Sequence, residues 1–326
     1  MSSISVVIPT YKASPFIRET LASVFTQTRL PDEVIVVDDC SPDETVAVVE
    51  EFVKASPIPL RVIRLPKNTG GPARPLNVGI EAARGQLIAT LDHDDRMTPN
   101  RLADQLDVYN FCPDVGMILG RLRGTRSLSE RDSLTHRGWD ALQDLPKVAL
   151  GPTTYRVSAG DAHRAVLEHG CYALTCSCML LPKSVWQAVG GFDERIRTSC
   201  DLDILQALTR FYAIAYTTAV VGEWSAPPST LYSASGLRRR FQDYWIVLDR
   251  FRERGLTGEL KPLWQKKARE FLFEHGYSFR KCGDLRMAAL CQIRAARVGG
   301  VTGDMLKEFV KIAKSLVLPC QRRAAL

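Results

Sequence analysis

Residues 4–41 read ISVVIPTYKASPFIRETLASVFTQTRLPDEVIVVDDCS and contain one complete strand–helix–strand unit. Ile4-Ser-Val-Val-Ile8 is a β-branched apolar run stopped by Pro9, the pattern of a strand buried on both faces. Ser14 followed by Pro15 reads as an N-cap with proline at the first helical position. Ile17, Leu21, Val24 and Phe25 then fall on one helical face. Val34-Ile-Val-Val37 is a second strand, and Ser41 with Glu44 has the spacing of a capping box opening a second helix.

Outward from this unit the alternation continues. Leu60–Leu65 reads as a strand, Pro72–Ala83 as a helix, and Leu87–Leu91 as a strand ending in Asp92-His-Asp-Asp95. Thr98-Pro99 opens a helix to about Asn110, and Val115–Gly120 is a fifth strand. This order predicts an α/β fold, a Rossmann-like, mostly parallel sheet flanked by helices. Ligands of such sheets bind outside the carboxyl ends of the strands. Residues 121–170, rich in Arg, Ser and Gly, break the rhythm and read as an excursion over the substrate face. Thr175–Leu181 resumes a strand, Lys183–Val189 is a short helix, and Gly190-Gly-Phe-Asp-Glu194 is a turn. Asp201–Phe211 reads as helical and Tyr212–Val221 as extended. From Gly236 the pattern is helical and basic. The expected organisation is a catalytic domain over residues 1–235 and a basic helical C-terminal extension over 236–326.

Composition excludes some classes. Hydrophobic residues make up 45% and charged residues 24% of 326, ordinary for a folded chain rather than a disordered or fibrous one. Nine cysteines without a regular framework point to reduced thiols, and Cys176-Ser-Cys178 has no matching second pair for zinc. The N-terminus opens directly into a strand and no stretch approaches a membrane span, so a cytoplasmic chain is expected. Residues 236–326 hold 20 Lys and Arg against 9 Asp and Glu, so the net charge of +7 is concentrated there. That asymmetry suggests attraction to an anionic lipid surface or polymer, with peripheral contact at the inner face of a membrane. No nucleic-acid partner is expected.

Three acidic sites carry the chemistry. Asp92-His93-Asp94 follows a buried strand, and crowded carboxylates there favour a cation; oxygen ligands at an open site suit Mg²⁺ or Mn²⁺. Asp38-Asp39 ends the second strand, where a carboxylate can accept from a ribose hydroxyl or a base N–H. Asp201, in Cys200-Asp-Leu-Asp203, lies near a helix start and can serve as a base.

Together these features resemble the family 2 glycosyltransferases with a GT-A fold. Ser5-Val-Val-Ile-Pro-Thr-Tyr11 and Val36-Val-Asp-Asp39 with Ser41 look like that family's first nucleotide-binding segment. Asn68-Thr-Gly-Gly71 with Ala73, Asn77, Gly79 and Arg84-Gly85 is similar to its next stretch. Asp92-His-Asp94 matches its DXD motif, and Gly190-Gly-Phe-Asp-Glu194 with Asp201 matches its acceptor-side motif. The resemblance implies a metal-dependent, inverting transfer from a nucleoside-diphosphate sugar to a glycan or glycolipid hydroxyl, in cell-surface polysaccharide assembly. It implies donor contacts at Pro9, Tyr11, Asp38, Asp39 and Asp92, a metal ligand in Asp94, and a general base in Asp201. Cys200 stands where the family often has Glu, and Glu223-Trp-Ser-Ala-Pro-Pro-Ser-Thr230 lacks an expected His, so Arg238-Arg-Arg240 is a candidate phosphate contact. Trp139 and Trp224 are candidates for stacking on an acceptor sugar, while His93 is expected to turn away from its acidic neighbours.

Other readings fit less well. A sugar nucleotidyltransferase needs a Gly-rich loop after its first strand, and Pro9-Thr-Tyr-Lys-Ala-Ser14 has no glycine. Walker and dinucleotide fingerprints are missing from the sequence. A catalytically silent nucleotide-sugar or glycan-binding module is disfavoured because Asp39, Asp94 and Asp201 are all retained.

Overall fold

The computed structural model describes residues 2–124, 138–173, 175–225, 234–254, 256 and 258–317. Four strands make the parallel half of one sheet: β1 (Ile4–Thr10), β2 (Glu33–Asp38), β3 (Leu60–Arg64) and β4 (Leu87–Thr90). Between and after them run α1 (Ile17–Phe25), α2 (Thr45–Ala55) and α3 (Ala73–Ala82). The second half contains β5 (Arg96–Met97), α4 (Arg101–Phe111), β6 (Met117–Gly124), α5 (138–144), β7 (Val148–Ala149) and β8 (Thr154–Val157). It continues with α6 (Ala159–His169), a 3₁₀ turn at Cys176–Cys178, β9 (Met179–Pro182), α7 (Lys183–Val189), α8 (Cys200–Thr209) and β10 (Ile214–Trp224).

The sheet order is β3-β2-β1-β4-β9-β6-β10-β8-β7, with β5 paired to β10. Pairing directions make β5, β8 and β9 the three strands that oppose the other seven. The sheet is therefore mostly parallel, as expected, and mixed beyond β4. Its core joins Ile4, Val6, Ile8, Val34 and Val36 to Ile17, Leu21 and Val24 of α1 and Leu102 of α4. Each such fully buried aliphatic contributes about 1.5–3 kcal/mol.

Several local expectations are corrected. Ser14 does not cap α1, which begins at Ile17; the Ser14 hydroxyl donates instead to Asp43 at 2.8 Å. Ser41 does not cap α2, which begins at Thr45. Its Oγ accepts from the Lys12 N–H at 3.0 Å, and Thr45 Oγ1 accepts from the Ala13 N–H at 2.8 Å. These hydroxyls tie the loop after β1 to the loop after β2. The strand expected at 175–181 begins only at Met179 and runs antiparallel between β4 and β6. The excursion over 121–170 builds sheet as well as loop, adding β7 and β8 beside β10; its residues 125–137 lie outside the described residues.

Contacts divide the chain into two units, Met1–Ser229 and Thr230–Leu326. The second is helical: α9 (Ala234–Glu253), α10 (Leu260–Lys281), α11 (Leu285–Gly299) and α12 (Gly303–Val317). Phe241 of α9 stacks on Phe271 and meets Phe279 edge-on, both with ring centroids 5.4 Å away. No helix among the described residues is long and apolar enough to cross a membrane.

Candidate active site

The rim of the first unit is built where β1 and β2 end. Lys12 and Cys40, at φ 52° and 58°, hold left-handed backbone that non-glycine residues avoid at a cost of about 1–2 kcal/mol. Cross-bonds hold the turns: the Asp39 N–H donates to Thr10 O at 2.8 Å and the Ser41 N–H to Asp38 Oδ2 at 3.0 Å. Tyr11 projects from this rim, 38% exposed. Asp38 points inward, wholly buried, with Arg64 Nε 3.6 Å from its carboxylate. Its part in the rim is to shape the turn.

Asp39 clamps a more distant loop. Its two oxygens accept from the Thr69 N–H at 2.9 and 3.0 Å, the Thr69 hydroxyl at 2.9 Å and the Gly70 N–H at 3.3 Å. Asn68 donates to the Asp39 carbonyl at 3.1 Å. Gly71 then lies against Arg197: a Cβ there would sit 2.6 Å from the Arg197 Cα, so the loop closes only with glycine.

The acidic floor follows β4. The Asp92 N–H donates to Ser177 Oγ at 2.9 Å and the Thr90 hydroxyl to Cys176 O at 2.5 Å, so the 3₁₀ turn backs the motif. His93 turns to β1, its Nδ1 3.2 Å from Pro9 O. Asp95 is buried and accepts from the Ser225 N–H at 2.9 Å. Asp94 is half-buried, and none of the described residues donates a hydrogen bond to it. Burial, then Asp94 and then Asp201, push the Asp92 carboxyl up to about 7. Burial with Asp92 and Asp94 likewise raises Asp95 well above the ordinary range.

Asp201 reaches this cluster from the first turn of α8. Its Oδ1 accepts the Leu202 N–H at 2.8 Å. Two residues on, Asp203 is wholly buried and accepts the Asp193 N–H at 3.1 Å, locking the Gly190–Glu194 turn. Asn77 of α3 holds the same turn, bonded to the Phe192 carbonyl and N–H at 2.9 and 3.0 Å.

The structure thus gathers Asp92, Asp94 and Asp201 at one place, with Tyr11 and Asp39 on the adjoining rim. Two other candidates are buried and a third is paired with an acid. Trp139 and Trp224 are both buried, Trp139 edge-on against Tyr216 at 5.6 Å, so neither indole is presented for stacking. Arg238 is bound to Asp284 at 2.6 Å within the second unit.

Sequence reasoning missed the residues beneath the floor. Arg101 is wholly buried and donates to Thr90 O at 2.8 Å and Met179 O at 3.1 Å, while Gln105 donates to Cys178 O at 2.8 Å. Burial lowers the Arg101 pKa to about 10, so its cation persists beneath Asp92 and Asp95. A single charge in a helix's first turn reads as solvated, and no pattern marked it. Buried thiols also surround Asp201: Cys176 and Cys200 lie 3.8 Å apart, and burial with the Asp201 charge raises Cys171 well above the usual thiol range.

A parallel half-sheet with carboxylates at its strand ends, joined to a mixed half-sheet, is the architecture of the GT-A glycosyltransferases. The chain belongs to glycosyl transferase family 2, whose family profile matches residues 5–177. An uncharacterized glycosyltransferase of Rickettsia prowazekii is 23% identical over 318 residues, 94% of this chain and 90% of that protein. The poly(ribitol-phosphate) beta-N-acetylglucosaminyltransferase TarS of Staphylococcus aureus is 38% identical over 106 residues, 32% of this chain but 18% of TarS. TarS 1–349 in complex with UDP-GlcNAc superposes with a TM-score of 0.57 at 18% identity, covering 91% of this chain and 92% of that one. The mannosyltransferase PcManGT of Pyrobaculum calidifontis, in complex with GDP-Man and Mn²⁺, gives 0.61 at 18% identity over 98% of this chain and 81% of that one.

Proposed function

We propose that this glycosyltransferase moves a sugar from a nucleoside-diphosphate sugar, expected to be a UDP-sugar, to a hydroxyl of a cell-surface glycan or glycolipid. The observation that carries the reading is the approach of Asp201 to Asp92 and Asp94, close enough that both charges bear on Asp92. A base thereby stands across from a cation-demanding pair. Tyr11 and Asp39 would hold the base and ribose on the rim. The Thr69 hydroxyl is the Asp39 partner most easily rotated aside for a base N–H. The UDP-GlcNAc complex of TarS and the GDP-Man complex of PcManGT support a donor of this class.

Among the described residues no three His, Cys, Asp or Glu side chains are grouped so as to hold a metal ion. The arrangement fits Mg²⁺ or Mn²⁺ held by few protein oxygens, since these ions keep water and take phosphate ligands. Asp94, with no donor on it, would bind the ion, and Asp92 would reach its water shell or the ribose. When bound, the ion supplies charge for the departing diphosphate. Asp201 would take the proton from the acceptor hydroxyl as its oxygen bonds to the anomeric carbon and the carbon–diphosphate bond breaks. One base with in-line attack inverts that centre.

The C-terminal unit supports peripheral contact with an anionic membrane. Val301, Leu306 and Val310 are exposed beside Lys307 and Lys311.

The deciding assay incubates the protein with UDP-, GDP- and dTDP-sugars, with and without Mn²⁺, and measures released nucleotide. Metal-dependent release from one donor, lost in Asp94→Ala and reduced about 10²–10⁴-fold in Asp201→Asn, is expected. No release from any donor would favour the binding-module alternative, and a retained anomer would overturn the single-base mechanism.

A further inference from the structure

The helical unit has a cavity of its own, about 690 Å³, walled by α9, α10 and α11. Four cations line it, Arg252, Lys261, Arg294 and Arg297, against one carboxylate, Asp249, beside the indole of Trp245. Asp249 is matched by Arg252 at 2.7 Å. No described acidic residue pairs with Lys261, Arg294 or Arg297, so the cavity carries uncompensated positive charge.

Arg294 is held differently from an ordinary surface arginine. Its guanidinium lies 5.0 Å from the Trp245 ring centroid and 5.7 Å from that of Phe241. Aromatic faces fix a guanidinium while leaving its N–H edges available, whereas a carboxylate would occupy them. The floor is rigid: Trp264 is buried and donates to Leu248 O at 2.6 Å. A recess of this size with an aromatic wall and open guanidinium donors suits a ring-bearing anion. A bilayer surface, by contrast, is met by projecting basic residues.

We propose that this cavity binds an anionic saccharide, a phosphate- or uronate-bearing stretch of acceptor polymer. The word acceptor rests on the function proposed above; the binding does not.

The full chain is titrated with a polyol-phosphate oligomer, an oligogalacturonate and a neutral dextran of matched length, read by calorimetry and tryptophan fluorescence. Phosphatidylcholine vesicles containing phosphatidylglycerol form a further arm. At least one anionic oligomer should bind and dextran should not. The double variant Arg294→Ala with Arg297→Ala should weaken binding about tenfold or more, with sugar-nucleotide hydrolysis unchanged. Trp245→Phe should remove the fluorescence response. Arg297→Glu, at an exposed position that leaves the packed rings alone, should reproduce the loss. Equal affinity in wild type and these arginine variants, no binding of either anionic oligomer, or binding to vesicles alone would each overturn the proposal. Binding as expected in a protein that hydrolyses no sugar nucleotide would support this site and overturn only the transferase reading.

Discussion

Arg101 shows how much of the acidic floor depends on a side chain that never meets solvent. It gathers the carbonyls of Thr90 and Met179, the ends of β4 and β9 nearest the acidic motif. Arg101→Leu strips both carbonyls of their donor and leaves Asp92 and Asp95 without a cation below them. We expect a loss of about 3–5 kcal/mol in denaturant midpoint analysis, with Arg101→Lys recovering only part because an ammonium lacks the planar fork. Gly71→Ala tests the rim in the same way: the added methyl meets the Arg197 backbone, and about 1–3 kcal/mol of stability should be lost, with a raised KM for the donor. The acidic residues themselves were legible, because aspartates after a β-branched run are conspicuous. Their partners were not. Asp39 is held by Thr69, thirty residues on, and the hydroxyls of Ser14 and Ser41 look like helix caps until the neighbouring loop is seen to claim them.

At the scale of elements, α3 and the turn before α8 are bridged just ahead of Asp201, the proposed base. Asn77 bridges them by its carboxamide, and Asp203 secures the turn from the other side. Asn77→Ala removes the bridge at about 1 kcal/mol per hydrogen bond. Steady-state kinetics should show a lower kcat with little change in the donor KM; an unchanged kcat would show that Asp201 is aimed without α3. The strands β1, β2 and β4 could be read from sequence because each is an apolar run buried on both faces. β7 and β8 could not: they are two and four residues long, the first exposed and the second mostly half-buried. The direction of β9 was equally hidden, since hydrophobicity marks burial but carries no sense of parallel or antiparallel.

For the molecule as a whole, the crowded carboxylates link stability to pH and to cations. The Asp92 pKa is raised to about 7 in the folded state, against about 3.9 for an unperturbed carboxyl. Between those values the folded chain holds a proton that the unfolded chain has released, so metal-free protein should lose stability as pH rises from 4 to 7. With allowance for partial exposure, the loss is on the order of 2 kcal/mol. Melting curves in EDTA across that range, repeated with Mn²⁺ at pH 7.5, should show a falling Tm and its recovery. A Tm indifferent to both would place the aspartates too far apart to share an ion.

The position of β9 also bears on how the chain is made. β4 and β6 are joined only through Met179–Pro182, which bonds to both. A growing polypeptide therefore leaves an edge of β4 open until Pro182 has left the ribosome, and an edge of β6 open until β10 (Ile214–Trp224) follows. Chains arrested before β10 is complete should clump or recruit chaperones, and those released after it should do so less. The strand that follows the turn backing the acidic motif is thus also the one that joins the two halves of the sheet as the chain emerges.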